Sequence, residues 1–293
     1  MTVEVVCAGV PFLDVTFLGL DELPVLGQEK MAERVELTAG GLANVALGLT
    51  RLEVSTAIVS PIGDDAAGRL LHELVTREGI TWSGPRAGST AISAVLSLQG
   101  DRAFATFDPR PPVDSAAIAA LDPRAVVIDL YAIEHAPATA AVYAVCGDAD
   151  ARELEGNLPA GLGQVTALLV NASEACILSG EDTPESAAQS LAASGCTAVV
   201  TLGGQGALLA GGGELVRVEA PVVDVIDANG AGDLFTAAYV WADLRGGSPH
   251  ERLRLAAAYA SNSVSRATTR AGALALQQFL SLADPIQENG VRL

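Results

Sequence analysis

The heptapeptide Asp227-Ala228-Asn229-Gly230-Ala231-Gly232-Asp233 sets a carboxylate directly behind a bare Gly-Ala-Gly turn, and the run LFTAAYVWADL that follows reads as a helix. The first N–H groups of a helix have no internal partner, and the helix dipole favours negative charge there. Such a turn can hold an anion without any lysine. A carboxylate at Asp233 would then take a proton from a hydroxyl attacking a phosphoryl group. The amides of Gly230, Ala231 and Gly232 would stabilise charge on the transferring oxygens. The same residues also suit a plain tight turn in which Asp233 only complements the dipole.

Three further constellations carry polar chemistry. Gly40-Gly41-Leu42-Ala43-Asn44 puts paired glycines before a helix, where a ligand can approach the backbone closely. Asn44 there offers a donor and acceptors to sugar hydroxyls. Asp14, upstream, could accept from a vicinal diol or stand as a solvated loop acid. Asn171-Ala172-Ser173-Glu174 follows a strand, where ligands of α/β sheets collect. Glu174 there could act through the water shell of a metal, or it could close a capping box with Asn171. Thr201-Leu202-Gly203-Gly204-Gln205-Gly206 also follows a strand, and either cradles nucleotide phosphates or turns the chain.

Other chemistries are missing. No G-x-x-x-x-G-K-[ST] occurs, and the G-x-G-x-x-G pattern fails because Phe235 stands at its third glycine. His72, His135 and His250 lack metal spacing, and no histidine gives Ser93 or Ser97 a triad partner. Cys7, Cys146, Cys176 and Cys196 form no C-x-x-C, so they read as packed thiols of a reducing cytoplasm.

Charge narrows the field further. The 293 residues carry 35 acidic and 17 basic side chains, a net charge of −18, and Lys30 is the single lysine. A surface this acidic repels nucleic acid and anionic membranes. Any phosphate site must rely on arginine, a metal or main-chain amides. No apolar run reaches the ~18 residues that span a bilayer, and MTVEVVCAGV reads as a first strand with no basic leader region.

The elements that must position these residues follow from periodicity. Short apolar runs at residues 3–8, 56–61, 125–128, 142–146, 167–170 and 198–201 read as buried strands, with helical segments between most of them. That alternation argues a parallel sheet covered by helices on both faces. Residues 206–210 and 214–218 read as a hairpin across Gly211-Gly212-Gly213. Residues 42–52, a segment capped by Asp64 or Asp65, and residues 230–244, 248–268 and 274–283 read as helices. Residues 13–38 and 89–107 alternate like half-exposed strands, the second stretch turning at Gln99-Gly100-Asp101, and suggest a small sheet apart from the main body.

In this order, the segments resemble the ribokinase-like (PfkB) carbohydrate kinase family over nearly the whole chain. GGLANVALGLTRL with IGDDAAG is similar to its N-terminal signature, and DANGAGDLFTAA to its C-terminal one. NASE is similar to its N-x-x-E motif, TLGGQG to its nucleotide-binding turn, and SRATTRAGA to the segment beside the adenine. Asp148-Ala149-Asp150-Ala151-Arg152 resembles its D-x-N-x-R pattern.

The resemblance implies one α/β domain over residues 1–293, a ribokinase-like three-layer αβα sandwich. Its central sheet would be mostly parallel, with a small β-sheet lid from about 10–38 and 88–108. It implies an ATP-dependent phosphotransferase with Asp233 as catalytic base and Gly230, Ala231 and Gly232 as anion hole. Asp14, Gly40, Gly41 and Asn44 would hold the substrate. Asn171 and Glu174 would serve the Mg2+–phosphate network, Glu174 through water. Thr201, Gly203 and Gly206 would hold ATP, with Asn262 near the adenine, and Asp227 with backbone carbonyls would hold a monovalent cation such as K+. Ala228 departs from the hydroxyl, proline or valine usual at its position. Leu42 stands where ribokinases and phosphosugar kinases commonly carry lysine, so the expected acceptor is an unphosphorylated sugar, sugar acid or nucleoside. Phe12, Phe17, Phe104 and Phe107 fall in the lid and keep a nucleoside in view. The exposed lid strands could pair in a homodimer. The alternative on the same fold is a non-catalytic sugar or nucleotide sensor.

Overall fold

A computed structural model describes residues 2–98, 101–266 and 268–283 of the chain. The strands are β1 (Val5–Ala8), β2 (Pro11–Leu18), β3 (Arg34–Gly41), β4 (Thr56–Val59), β5 (Thr81–Ser83), β6 (Ile92–Leu98), β7 (Asp101–Phe107), β8 (Ala125–Asp129), β9 (Ala141–Val145), β10 (Ala167–Asn171), β11 (Thr197–Thr201), β12 (Ala207–Gly211) and β13 (Glu214–Val218). The helices are α1 (Leu42–Arg51), α2 (Ala66–Thr76), α3 (Ser115–Ala120), α4 (Asp148–Leu154), α5 (Ala172–Ser179), α6 (Pro184–Ala192), α7 (Ala231–Leu244), α8 (Pro249–Val264), α9 (Thr269–Gly272) and α10 (Leu276–Ala283).

Nine strands form the central sheet in the order β13-β12-β11-β10-β9-β8-β1-β4-β5, parallel from β11 to β5 and closed by the antiparallel β12–β13 hairpin. The short apolar runs are strands because both their faces are buried. In β1, Val5 and Cys7 enter the core on one side of the sheet, and Val6 and Ala8 the core on the other. Residues of α1, α2, α7, α8 and α10 fill the first core, and those of α3, α5 and α6 the second. This is the three-layer α/β arrangement that the alternation predicts. β5 went unread in the sequence, since Thr-Trp-Ser is too short to show a period.

The small sheet has the order β3-β2-β6-β7. It draws on both alternating stretches, with β2 and β6 parallel and the outer pairs antiparallel. Of the turn expected between β6 and β7, Gln99 and Gly100 lie outside the described residues. Asp65 caps α2 by accepting from the Gly68 N–H at 2.7 Å, and it also accepts from the Thr90 hydroxyl at 2.7 Å, which ties the helix start to the entrance of β6.

Two helices deserve separate mention because they carry the polar motifs. Helix α1 packs on α7 where Gly48 faces Ala237. A Cβ on Gly48 would stand 2.6 Å from the Ala237 Cβ and 2.9 Å from Leu234 Cδ2. The close approach sets the height of Asn44 above the start of α7. Replacing Gly48 with Val should force the helices apart and lower unfolding free energy by ~1–3 kcal/mol, the usual cost of overpacking. Urea denaturation checks this, with a reduced midpoint and an unchanged slope expected.

Candidate active site

The site forms where α1, α7 and the small sheet meet. Gly230 adopts φ +70°, and any Cβ there would strike the Thr269 side chain, so only glycine fits this cap. Thr269 holds the turn by donating its hydroxyl to the Asn229 carbonyl at 2.9 Å. The first N–H to close the ladder is that of Leu234, which donates to Gly230 O at 3.0 Å. The amides of Gly232 and Asp233 precede it. Gly232 is exposed, and nothing lies within 4 Å of where its Cβ would be. The turn is thus open at Gly232, while Thr269 packs against Gly230 and the Ala231 N–H donates to the Ala228 carbonyl at 3.4 Å.

Asp233 begins the same helix. Asn44 Nδ2 donates to Asp233 Oδ2 at 2.9 Å, joining residues 189 positions apart. Asp233 keeps partial solvent exposure as a residue, but the protein crowded around its carboxyl withdraws water from it. That loss of hydration pushes its pKa up to about 6, while the Asn44 bond and the charge of Arg102 pull it back.

Asp14 is no solvated loop acid. It is 7% exposed, in the middle of β2 between Thr38 of β3 and Ser93 of β6. Desolvation and the negative charge of Asp233 together raise its pKa to about 7, against the opposing Asn229 side chain and Arg102. Gly40 exists beside it for space, since a Cβ there would collide with the Asp14 carboxylate. Gly41, at φ +59°, caps α1, where a Cβ would approach Phe12 and the Val10 carbonyl to 2.8 Å. Asp14, Gly40, Gly41, Asn44, Gly230, Ala231, Gly232 and Asp233 thus converge from three stretches of sequence.

A second group lies at the carboxyl ends of the central strands. Asn171 and Thr201 are register partners at the ends of β10 and β11. Asn171 caps α5, its side chain accepting from the Glu174 N–H at 2.9 Å, while Glu174 Oε2 accepts from the Asn171 N–H at 2.8 Å. The capping box is therefore real. Glu174 is nevertheless 8% exposed, and desolvation raises its pKa to about 7, with Asp148 and Asp233 adding repulsion. Gly203 and Gly204 have open space where a Cβ would sit, whereas Gly206 at φ +98° packs its backbone against the Val218 carbonyl. Gly206 thus has a structural reason of its own. Asn262 spends its amide on the Gly272 carbonyl at 3.0 Å, fastening α8 to α9. Asp227 accepts from the Asn229 N–H at 2.9 Å within its own turn. Arg152 pairs with Asp148 one turn away on the exposed face of α4.

Residue reading missed Arg102, and it missed the contact of Asn229 with Asp14. Period-two alternation gives the faces of β7 but not the strand beside which they fall. Among the described residues no cluster of three or more His, Cys, Asp or Glu side chains could by itself hold a metal ion, and no helix is long and apolar enough to cross a membrane.

The chain is 28% identical to the aminoimidazole riboside kinase of Salmonella typhimurium over 281 residues, covering 86% of this chain and 88% of that one. A probable fructokinase of Arabidopsis thaliana is 33% identical over 87 residues, 28% of this chain and 25% of that one. Its fold is similar to that of Arabidopsis thaliana ribokinase complexed with ribose and ATP, at a TM-score of 0.80 with 23% identity over 97% of this chain and 99% of the other. Ribokinase from Thermotoga maritima superposes at 0.78 with 22% identity, over 97% and 99%. Residues 118–275, more than half of the chain, match the family described as pfkB family carbohydrate kinase. By that match, and with the ribokinase-like fold, the chain belongs to the pfkB carbohydrate kinase family.

Proposed function

We propose that this kinase moves the γ-phosphoryl group of ATP to a hydroxyl of a small unphosphorylated sugar, sugar acid or nucleoside, with Asp233 as general base. The observation that carries the reading is the Asn44–Asp233 hydrogen bond, set beside Gly232, whose backbone no side chain crowds. A base with a pKa of about 6 is largely ionised at neutral pH, yet basic enough to accept a proton as the acceptor oxygen attacks. The amides at 230–232 stabilise charge on the transferring oxygens. Asp14, withdrawn from water, favours acceptor hydroxyls as hydrogen-bond donors, and Asn44 completes the cradle. Leu42, where a phosphosugar enzyme would want a cation, favours an acceptor without phosphate. The similarity to an aminoimidazole riboside kinase keeps ribosides in that class.

Glu174 suits magnesium as an indirect partner. It is buried, and Asp148 and Asp233 repel it. A divalent cation held mainly by nucleotide oxygens and water would relieve that repulsion. Such a cation neutralises phosphate charge when bound. Asn171 and Thr201 border the same ground, with Gly203 leaving the backbone bare for phosphates. Asp227 keeps one carboxylate oxygen outside its own turn, in reach of a monovalent cation such as K+.

The lid has two unlike faces. Asp14, Thr16, Ser93 and Thr106 share one, and the opposite face carries Val15, Phe17, Val35, Leu37, Leu96 and Phe107. Val35 and Phe107 are about half exposed. An apolar sheet face of this kind suits a homodimer built lid to lid.

Four outcomes test this reading. Asp233→Asn should retain ATP binding while turnover falls at least ~10²-fold, the scale of losing a general base. Near-normal turnover in an ADP-release assay would refute the role. The rate should fall as pH drops through about 6, because the base acts ionised. Stability should move the opposite way. Asp14, Asp129 and Glu174, each raised to about 7, keep protons in the fold that the unfolded chain has lost above its ordinary carboxylate range, so unfolding free energy should decline as pH rises from about 4 to about 7. Phe107→Glu should convert a dimer to monomer in light scattering, and a wild-type monomer at micromolar concentration would exclude the lid-to-lid assembly.

A further inference from the structure

One amide of the turn before α7 is buried without a partner. Gly230 is buried, yet among the described residues no oxygen accepts from its N–H. The amides on either side are satisfied. The Asn229 N–H donates to Asp227 Oδ1 at 2.9 Å, and the Ala231 N–H to the Ala228 carbonyl at 3.4 Å. A main-chain N–H withdrawn from water costs free energy until an acceptor arrives. The Gly230 N–H is thus a donor in want of an anion.

Its direction is set from α9. The peptide joining Asn229 to Gly230 is planar and trans, so its N–H points opposite to its C=O. The Thr269 hydroxyl holds that C=O at 2.9 Å, which turns the Gly230 N–H away from α9. Thr269 is buried, and its hydroxyl and methyl fill the space where residue 230 would carry a Cβ. Helix α9 is itself fastened on two sides. Arg270 donates to Glu78 at 2.6 Å, and Glu78 also accepts from Arg51 at the end of α1 at 2.6 Å. A Cβ on Gly272 would stand 2.6 Å from Ser263 Cα, so α9 rests on α8 with no room to slide. The segment entering the turn is tied to α8 as well, the N–H groups of Ile226 and Asp227 donating to the Val264 carbonyl at 2.7 and 3.1 Å.

We infer that Thr269 is a positioning residue for phosphoryl transfer: through the Asn229 carbonyl, its hydroxyl aims the Gly230 N–H at the oxygens on which charge builds. The inference rests on the kinase reading and adds a residue to it. A donor fixed beforehand stabilises developing charge without reorganising during the reaction. Without the hydroxyl the 229–230 peptide can rotate, because glycine restrains its own dihedrals least.

The test compares Thr269→Val, which keeps the shape and loses the hydroxyl, with Thr269→Ser, which keeps the hydroxyl. Thr269→Ala, also without a hydroxyl, carries the same expectation as Thr269→Val. ADP release is followed with Mg2+ and the best acceptor from a panel of sugars, sugar acids and nucleosides. Each variant is assayed well below its unfolding midpoint, where lost stability alone leaves kcat per folded molecule unchanged. Thr269→Val should lower kcat about 10- to 100-fold, somewhat less than deleting an oxyanion-hole donor outright. KM for ATP and for the acceptor should hold, as expected of an interaction made only in the transition state. Thr269→Ser should restore kcat to near the wild-type value. Calorimetry supplies a readout without turnover. Thr269→Val should bind ADP as the wild type does, yet bind ADP with aluminium fluoride, a mimic of the phosphoryl group in transfer, about tenfold more weakly. Wild-type kcat in Thr269→Val, an equal fall in Thr269→Ser, or equal losses of affinity for ADP and for the fluoride complex would overturn the inference and leave the kinase reading standing. Absence of turnover by the wild type with every acceptor would defeat the kinase reading itself.

Discussion

Removing carboxylates from water without pairing each to a cation is the constraint around which this protein is built. A chain with one lysine and a net charge of −18 gathers the carboxyls of Asp14, Asp233 and Glu174, with Asp233 repelling both of the others. It tolerates them through main-chain amides, amide side chains and one lid arginine. Asn44 and Asn229 give Asp233 and Asp14 hydrogen bonds that favour their ionised forms without adding charge. The carboxyls accordingly titrate above their ordinary range, Asp233 at about 6, low enough to ionise at neutral pH and high enough to accept a proton.

Glycines at the site serve distinct physical ends. Gly230 and Gly41 supply left-handed caps at the starts of α7 and α1. Gly40 leaves room for the Asp14 carboxylate, and Gly232 leaves an opening. Gly48 lies remote from the chemistry yet determines the α1–α7 spacing, and hence whether Asn44 reaches Asp233. A packing position thus governs a polar contact.

The two faces of the small sheet differ in chemistry: one carries Asp14, Ser93 and Thr106, and the other is apolar. The same alternation that puts Asp14 and Arg102 on one side puts Phe17 and Phe107 on the other. The four lid phenylalanines therefore do not form one stacking surface. Phe12 and Phe104 share the acceptor side, and Phe104 carries Arg102.

The sequence by itself determined the alternation of strand and helix, both alternating stretches of the lid, and the helix caps. These depend on neighbours within a few residues and on periods of two and 3.6 that any chain displays. It also marked the Gly-Ala-Gly turn before Asp233, because backbone geometry there is local. Tertiary structure alone decided that Asp14 is buried, that Asn44 and Asp233 meet across 189 positions, and that the charge of Arg102 reaches both carboxyls. It also assigned Asn262 and Gly206 to holding the fold together, since a side chain's partner is chosen by sheet order and register. Those are fixed by burying two faces of a nine-stranded sheet, a global condition that no short stretch of residues contains.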